Sequence, residues 1–182
     1  MIIKKHTFPF LLFAAFLIYS SASPAFTNVW RGVSISYGAG KPDNLKGGRI
    51  SYQFLPQASS WKSISIYYDS SLAYWHVDYQ KHKSLAVVAI APVVRFHPYN
   101  GKYFVPYLEG SIGAALLSRN KLGHRDLGAI LAFQDILGGG FQFGSKQQFD
   151  LNFIYLHYSN AGFAPPNNGI DVKTLITFAY HF

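Results

Sequence analysis

The sequence predicts an all-β fold, an eight-stranded antiparallel transmembrane β-barrel, and three observations support this fold class. Charged residues make up only 13% of the chain and aromatic residues 18%, whereas soluble domains carry about 25% charged residues. After the N-terminal segment, no apolar run reaches the roughly 20 residues that a spanning helix needs. Several segments instead alternate apolar and polar residues, as strands facing lipid on one side do. A chain that crosses a membrane as strands must close into a barrel, because an open edge leaves backbone groups unpaired.

The N-terminal segment, residues 1–25, is predicted to be a secretory signal peptide. Two lysines precede an apolar run from Phe8 to Tyr19, and small residues follow up to Ala25. This apolar run is shorter than a spanning helix requires. We therefore expect cleavage after Ala25 or Ala22, and we assign residues 26–182 to one outer-membrane β-barrel domain.

The mature chain divides into eight segments with a strand pattern. Alternation is clearest in the third and fifth, where apolar residues share one face and polar residues the other. In the sixth, Gln134 stands beside Asp135, which suggests a bulge. We expect Glu109 and Asp135 to face inward and pair with Arg95 or another interior base. The eight segments are Val29–Tyr37, Arg49–Leu55, Trp61–Tyr74, Leu85–Phe96, Tyr103–Leu117, Leu127–Phe143, Gln148–Tyr158 and Ile170–Phe182.

The connections predict which way the barrel points. Those after the second, fourth and sixth segments are short, whereas those after the first, third, fifth and seventh are longer and polar. In outer-membrane barrels the short turns face the periplasm and the long loops face the outside. The chain also ends on the aromatic Phe182, which resembles the C-terminal signature of such barrels. This orientation places the end of the seventh segment in the extracellular leaflet.

One motif carries the chemistry, His157-Tyr158-Ser159-Asn160-Ala161-Gly162 at the end of the seventh segment. Because a strand has a period of two residues, His157 and Ser159 point to the same face. A serine becomes a useful nucleophile when a base accepts its proton, and the base works best when a third group fixes its tautomer. Asp171 begins the eighth segment, across a hairpin from this motif, and can be that group. Strict alternation back from Phe182 turns Asp171 inward, so this assignment requires a bulge or an irregular strand start.

Together with Pro166-Asn167-Asn168-Gly169-Ile170, this motif resembles that of the PagL family, the lipid A 3-O-deacylases of Gram-negative outer membranes. The resemblance implies that His157 is the general base, that Ser159 is the nucleophile, and that Asn160 forms or supports the oxyanion site. The family's acid is a glutamate. Asp171 occupies its position with one methylene fewer, which preserves the chemistry but shortens the reach.

The resemblance also implies a reaction and its participants. The reaction is hydrolysis of the ester that links a 3-hydroxyacyl chain to the 3 position of lipid A. The implied partners are lipid A or lipopolysaccharide as substrate and outer-membrane lipids as surroundings, with no cofactor and no metal. Seven basic residues of the predicted loops can dock lipid A phosphates or simply form a solvated rim. They are Lys41, Lys46, Lys81, Lys83, Arg119, Lys121 and Arg125.

Several alternatives stay open at this point. A soluble barrel such as a lipocalin is expected to have a more charged exterior. A non-enzymatic outer-membrane barrel would carry the motif by accident, and a phospholipase A-type esterase would need a longer chain. The absence of cysteine excludes a thiolate site, and no binding module for nucleic acid is recognisable. Whether the barrel forms a homodimer, and which acyl chain it prefers, is not decided by the sequence.

Overall fold

The computed structural model describes residues 29–56, 60–61, 63–99 and 101–182. The predicted signal peptide lies outside these residues. Within them, no helix is long and apolar enough to cross a membrane. Two short pieces accompany the long strands: Ser60–Trp61 pairs with the third long strand, and Lys121–Leu122 pairs with Arg125–Asp126 in a small hairpin. The eight long strands are β1 Val29–Lys41, β2 Leu45–Pro56, β3 Ile64–His76, β4 Ser84–Phe96, β5 Phe104–Leu117, β6 Leu131–Phe143, β7 Phe149–Ser159 and β8 Ile170–His181.

The eight long strands close into an antiparallel barrel. Each pairs with its neighbours in sequence, and β8 pairs with β1 to complete the ring. Gly32 of β1 lies opposite His181 of β8 at one end of the barrel, which we call the terminal end. Lys41 lies opposite Asp171 near the other end, which we call the far end. The fold class predicted from the sequence is therefore confirmed.

The first two strands differ most from the prediction. β2 has 12 residues, and β1 extends to Lys41, so only residues 42–44 connect them. The expected long polar loop after the first strand is wrong. The glycines of this region, Gly38, Gly40, Gly47 and Gly48, lie in paired strands, and the backbones of the neighbouring strands approach Gly40 and Gly47 closely. The long connections at the far end are therefore residues 118–130 and 160–169.

Most of the side chains on the outer wall of the barrel are apolar, and the interior is filled by two layers of different character. Alternation in the third and fifth segments is confirmed: Leu72 is 54% exposed on the outside, while Ser71 is buried inside. Toward the terminal end the interior is ionic, with Arg95 bonded to Glu109 at 2.8 Å and to Asp150 at 2.6 Å. The predicted pairing of Glu109 with Arg95 is therefore confirmed. Toward the far end the interior is apolar instead, with the buried side chains Leu45, Trp75, Leu85, Leu127, Leu156 and Ile170.

Two expectations for β6 are wrong. Its pairing with both neighbours runs without a register shift through Gln134 and Asp135, so no bulge lies there. Unbroken alternation turns Gln134 into the interior, where it is fully buried, and turns Asp135 outward. Asp135 thus lies opposite His157 of β7 rather than beside an interior base.

Candidate active site

A bulge in β8 sets the position of Asp171. Ile154 pairs with Leu175, but Leu156 pairs with Val172, so β8 contains one extra residue between these pairs. The extra residue falls at Lys173 and Thr174, which are both exposed. An extra residue of this kind reverses the alternation beyond it. Asp171 therefore shares the outer face with Phe182, as the site assignment required.

Gly40 of β1 makes room for this bulge. A Cβ atom at position 40 would overlap the carbonyl oxygen of Asp171 and crowd the backbone nitrogen of Lys173. The pairing between β1 and β8 shifts at the same point, between Ala39 and Lys41. The irregular backbone of β8 thus fits against β1 because residue 40 has no side chain.

His157 and Asp171 are in contact on the outer wall. They are cross-strand partners in β7 and β8, and His157 Nδ1 lies 2.8 Å from Asp171 Oδ1. Both side chains are partly exposed, at 29% and 26%. A carboxylate on Nδ1 fixes the imidazole tautomer and leaves Nε2 as the proton acceptor. This is the arrangement that a general base needs.

Tyr155 is a second donor to the same carboxylate, and the sequence motif did not single it out. Its hydroxyl donates a hydrogen bond to Asp171 Oδ1. Its ring is stacked with that of His157, with centroids 6.4 Å apart and planes 9° apart. Tyr155 precedes His157 by two residues on one strand, so alternation gives it the same face. Its link to Asp171 depends on the β8 bulge, which the sequence pattern alone does not locate.

Gly169 covers the imidazole of His157. It is buried at the entry to β8 and has a φ of 43°, in the left-handed region that favours glycine. A Cβ atom at this position would lie 2.7 Å from His157 Cε1. The glycine of the motif therefore lets the loop backbone pack directly against the proposed base.

Ser159 follows His157 on the same outer face of β7 and is partly exposed. Across β6, Ser159 lies opposite Phe133, and His157 lies opposite Asp135. In the part of the chain that the structure describes, no hydrogen bond joins Ser159 to His157. The strand thus places the serine beside the His157–Asp171 pair on the outer face.

Asn160 points away from this face and is buried. Its side-chain amide donates to the carbonyls of Leu127 and Ala164, and its side-chain oxygen accepts a hydrogen bond from Gly162 N at 2.8 Å. Its own backbone N–H donates to Asn167 Oδ1 at 3.0 Å. The Asn160 side chain therefore fastens the β7–β8 connection.

The small hairpin within residues 118–130 holds this connection from the other side. Arg125 donates to the carbonyl of Asn168 at 2.6 Å, and Asn168 N donates to the carbonyl of Asp126 at 3.0 Å.

Hydrogen bonds from Gly128 N and from Lys121 hold the pKa of the Asp126 carboxyl below its usual range. His124 of the same hairpin bonds Asp43 at 2.7 Å. Three connections at the far end are thereby tied together above the site.

Among the described residues, no group of three or more histidine, cysteine, aspartate or glutamate side chains is placed to hold a metal ion. Two histidines outside the candidate site make other contacts: His97 bonds Ser65 at 3.0 Å, and His181 bonds Gln53 at 3.2 Å inside the barrel.

Comparisons with known proteins agree on one family. A family model described as lipid A 3-O-deacylase (PagL) matches residues 46–180, a range that contains His157, Ser159 and Asp171. A Pseudomonas aeruginosa protein named lipid A deacylase PagL is 34% identical over 112 residues, which cover 60% of this chain and 61% of that protein. A Bordetella bronchiseptica protein of the same name is 29% identical over 156 residues, 83% of each chain.

Solved structures give the same picture for the fold. The crystal structure of the outer membrane enzyme PagL matches with a TM-score of 0.71 and 27% identity, covering 82% of this chain and 98% of that one. Neisserial surface protein A matches with a TM-score of 0.55 and 11% identity, over 85% of this chain and 97% of that one. At that identity the second match concerns the fold alone.

Proposed function

Because this chain belongs to the lipid A 3-O-deacylase (PagL) family, we propose that it is a serine esterase that releases the 3-O-linked 3-hydroxyacyl chain of lipid A. The chain is an outer-membrane β-barrel and a hydrolase of this family. The observation that carries the finer proposal is the contact of His157 Nδ1 with Asp171 Oδ1 at 2.8 Å, beside Ser159 on the lipid-facing wall.

In the first half-reaction Ser159 Oγ attacks the carbonyl carbon of the ester. His157 Nε2 accepts the serine proton, and Asp171 stabilises the imidazolium that forms. The tetrahedral intermediate then collapses, the bond to the sugar oxygen breaks, and the imidazolium returns the proton to that oxygen. The sugar leaves with a free 3-hydroxyl, and the acyl chain remains on Ser159.

The second half-reaction uses the same groups on water. His157 Nε2 takes a proton from a water molecule, whose oxygen attacks the acyl carbonyl. Collapse of this second intermediate returns the proton to Ser159 Oγ and releases the 3-hydroxy fatty acid. The roles of base and acid alternate on one nitrogen, so Nδ1 must stay bonded to Asp171 throughout both steps.

The spacing of Ser159 and His157 fits this chemistry. Alternate residues on a strand have Cα atoms about 6.6 Å apart, and two side chains that lean toward each other can close this gap. Catalytic hydrogen bonds are often long in the free enzyme and tighten with substrate. Gly169 packs against the imidazole on one side and so restricts the positions that the ring can take.

Tyr155 acts as a positioning residue in this proposal. The family resemblance leads one to expect a glutamate where this chain has the shorter Asp171. Its Oδ1 accepts hydrogen bonds from both His157 and Tyr155, so the carboxylate is held from two directions. Asn160 acts at a greater distance, by fastening the connection that includes Gly169.

The location of the site suits a lipid substrate. His157, Ser159 and Asp171 lie on the outer wall near the far end of the barrel. With the chain termini on the periplasmic side, the far end lies in the extracellular leaflet, where lipopolysaccharide resides. An acyl ester can therefore reach Ser159 by lateral movement within the leaflet, without entering the barrel.

The direct test is the lipid A of living cells. A Gram-negative host without a 3-O-deacylase should gain lipid A lighter by one 3-hydroxyacyl group when it expresses this chain, as measured by mass spectrometry. The Ser159→Ala variant, inserted at the same level, should leave lipid A unchanged. Unaltered lipid A with well-inserted wild-type protein would instead support a non-enzymatic barrel. Release of fatty acid from phospholipids alone would support the phospholipase alternative.

A further inference from the structure

The candidate site lies between an apolar part of the outer wall and a cationic part. On one side, β6 faces Ser159 and His157 with Phe133 and Asp135. Elsewhere on β6 and in the connection between β7 and β8, large apolar side chains are strongly exposed: Leu131 at 65%, Leu137 at 70% and Phe163 at 68%. The ring of Phe163 contacts that of Phe133, with centroids 6.2 Å apart. This wall is suited to hydrocarbon.

On the other side the outer face is cationic. The β8 bulge exposes Lys173, two residues from Asp171. Lys41 of β1 lies directly opposite Asp171 and is also exposed on the outer face. On the next strand, Lys46 pairs with Ala39 and is exposed as well. Cations therefore continue around the barrel from the carboxylate of the site across three successive strands.

The two nearest lysines have their charge available. Within the described residues, neither Lys41 nor Lys173 takes part in an ion pair, whereas Lys121 is paired with Asp126 at 3.1 Å. The carboxylate of Asp171, the cross-strand partner of Lys41, is occupied by His157 and Tyr155. Uncompensated ammonium groups at the edge of a bilayer attract anionic headgroups.

We propose that Lys41 and Lys173 form an anion subsite that binds a phosphate on the sugar of the lipid substrate. This inference rests on the proposed function and adds the direction in which the substrate lies. The acyl chain runs along the apolar wall of β6, the ester sits at Ser159, and the phosphorylated sugar extends over β8 and β1.

The strand spacing is compatible with this orientation. Neighbouring strands are about 4.8 Å apart, so Lys41 lies two strand widths, about 10 Å, from His157. The flexible lysine stem can direct its ammonium back toward the site. A phosphate on the same sugar as the scissile ester falls within that range.

The test separates phosphate recognition from general attraction to a basic rim. The variant is K41Q/K173Q, and the matched comparison is K81Q/K83Q, which removes the same charge from the β3–β4 connection. That connection lies across the barrel from β7 and β8. Binding is measured by thermophoresis in one detergent, in the non-hydrolysing Ser159→Ala background. The probes are bisphosphorylated lipid A and the same lipid after enzymatic dephosphorylation.

We expect K41Q/K173Q to weaken binding of phosphorylated lipid A about tenfold, on the basis of two lysines near an anionic surface. The dephosphorylated lipid should bind equally well to the Ser159→Ala protein with and without K41Q/K173Q. For phosphorylated lipid A, the difference in affinity between these two proteins should shrink as salt is added. With Ser159 restored, KM should rise for phosphorylated lipid A and kcat should stay near that of the wild type.

Three results would overturn the subsite. They are unchanged binding in K41Q/K173Q, an equal loss for both lipids, or an equal loss in K81Q/K83Q. The last would mean that a generic rim is sufficient. Failure of the proposed function is visible separately: the wild-type barrel would then hydrolyse neither lipid, while the binding comparison would still decide the subsite.

Discussion

At the residue scale, Asp171 Oδ1 is the atom on which the donors of the candidate site converge. It accepts hydrogen bonds from His157 Nδ1 and from the Tyr155 hydroxyl. A carboxylate that accepts hydrogen bonds from two donors is held in its orientation more firmly than one that accepts a single hydrogen bond. This arrangement accounts for how an aspartate can serve where the family resemblance leads one to expect the longer glutamate. It also makes the two donors interdependent.

That interdependence can be measured with a double-mutant cycle. Asp171→Asn should lower kcat by roughly 10² to 10⁴, because an amide neither fixes the useful tautomer nor offsets the imidazolium charge. Tyr155→Phe should lower kcat about tenfold with KM unchanged, since it removes one hydrogen bond to a charged group. In the Asp171→Asn background, Tyr155→Phe should cost little more, because its target is gone. Turnover of detergent-solubilised lipid A gives all four values.

Two comparisons keep this prediction sharp. Tyr74→Phe makes the same change on the outer wall of β3 and should retain wild-type turnover. Asp135→Asn alters the other carboxylate that flanks His157. Additive losses at positions 155 and 171 would mean that Tyr155 does not act through Asp171. A larger loss at Asp135 than at Asp171 would assign the orienting role to Asp135.

At the element scale, the connection between β7 and β8 helps to position the groups of the candidate site, as the strands themselves do. Asn160 fastens it from inside, and Arg125 holds it through the carbonyl of Asn168. These contacts hold the connection in the position in which Gly169 packs against the imidazole of His157. The bulge of β8 then directs Asp171 outward to meet His157 from the other side.

Two glycines of this connection allow a matched test of its role. Gly169→Ala and Gly162→Ala both place a side chain at positive φ, with φ of 43° and 82°, at a similar cost of about 1 kcal/mol in stability. Only the Cβ atom at position 169 meets the imidazole, whereas that at 162 has no atom within 4 Å. Gly169→Ala should therefore lower kcat by about 10² because it displaces the base.

The Gly162→Ala control introduces similar backbone strain without a contact with the imidazole of His157. Gly162→Ala should keep most of the turnover, and both variants should show the heat-modifiable gel mobility of a folded barrel. Equal losses of activity in the two variants would indicate that backbone strain, rather than displacement of His157, limits the reaction.

At the scale of the whole molecule, the interior of the closed sheet contains the contacts that stabilise the barrel, whereas the candidate site lies on its outer face. Ionic contacts around Arg95 fill the interior toward the terminal end, and an apolar core fills it toward the far end. The candidate site lies outside, on a wall that is apolar along β6 and carries exposed lysines on β8, β1 and β2. A rigid, closed support of this kind holds two adjacent strands in fixed register, which a pair of catalytic side chains requires.

Much of this molecule follows from alternation along the chain. The period of two predicted the strands, the shared face of His157 and Ser159, and the need for an irregularity before Asp171. It did not locate that irregularity, because the bulge depends on clearance at Gly40 of another strand. It also misplaced Asp135, since Gln134 and Asp135 are both polar and the pattern does not show which one faces a buried interior. The contact between Tyr155 and Asp171 depends on the same bulge.

The measurement that tests the central claim most directly is single-turnover hydrolysis of lipid A by purified, folded barrels of the wild type, Ser159→Ala and His157→Ala. Loss of a nucleophile or its base typically costs on the order of 10⁴ to 10⁶ in rate, and neither side chain fills the barrel interior. We expect both variants to fold, to bind lipid A and to release 3-hydroxy fatty acid at least about 10⁴ times more slowly. Wild-type release by either folded variant would contradict the assignment of Ser159 and His157 as nucleophile and base.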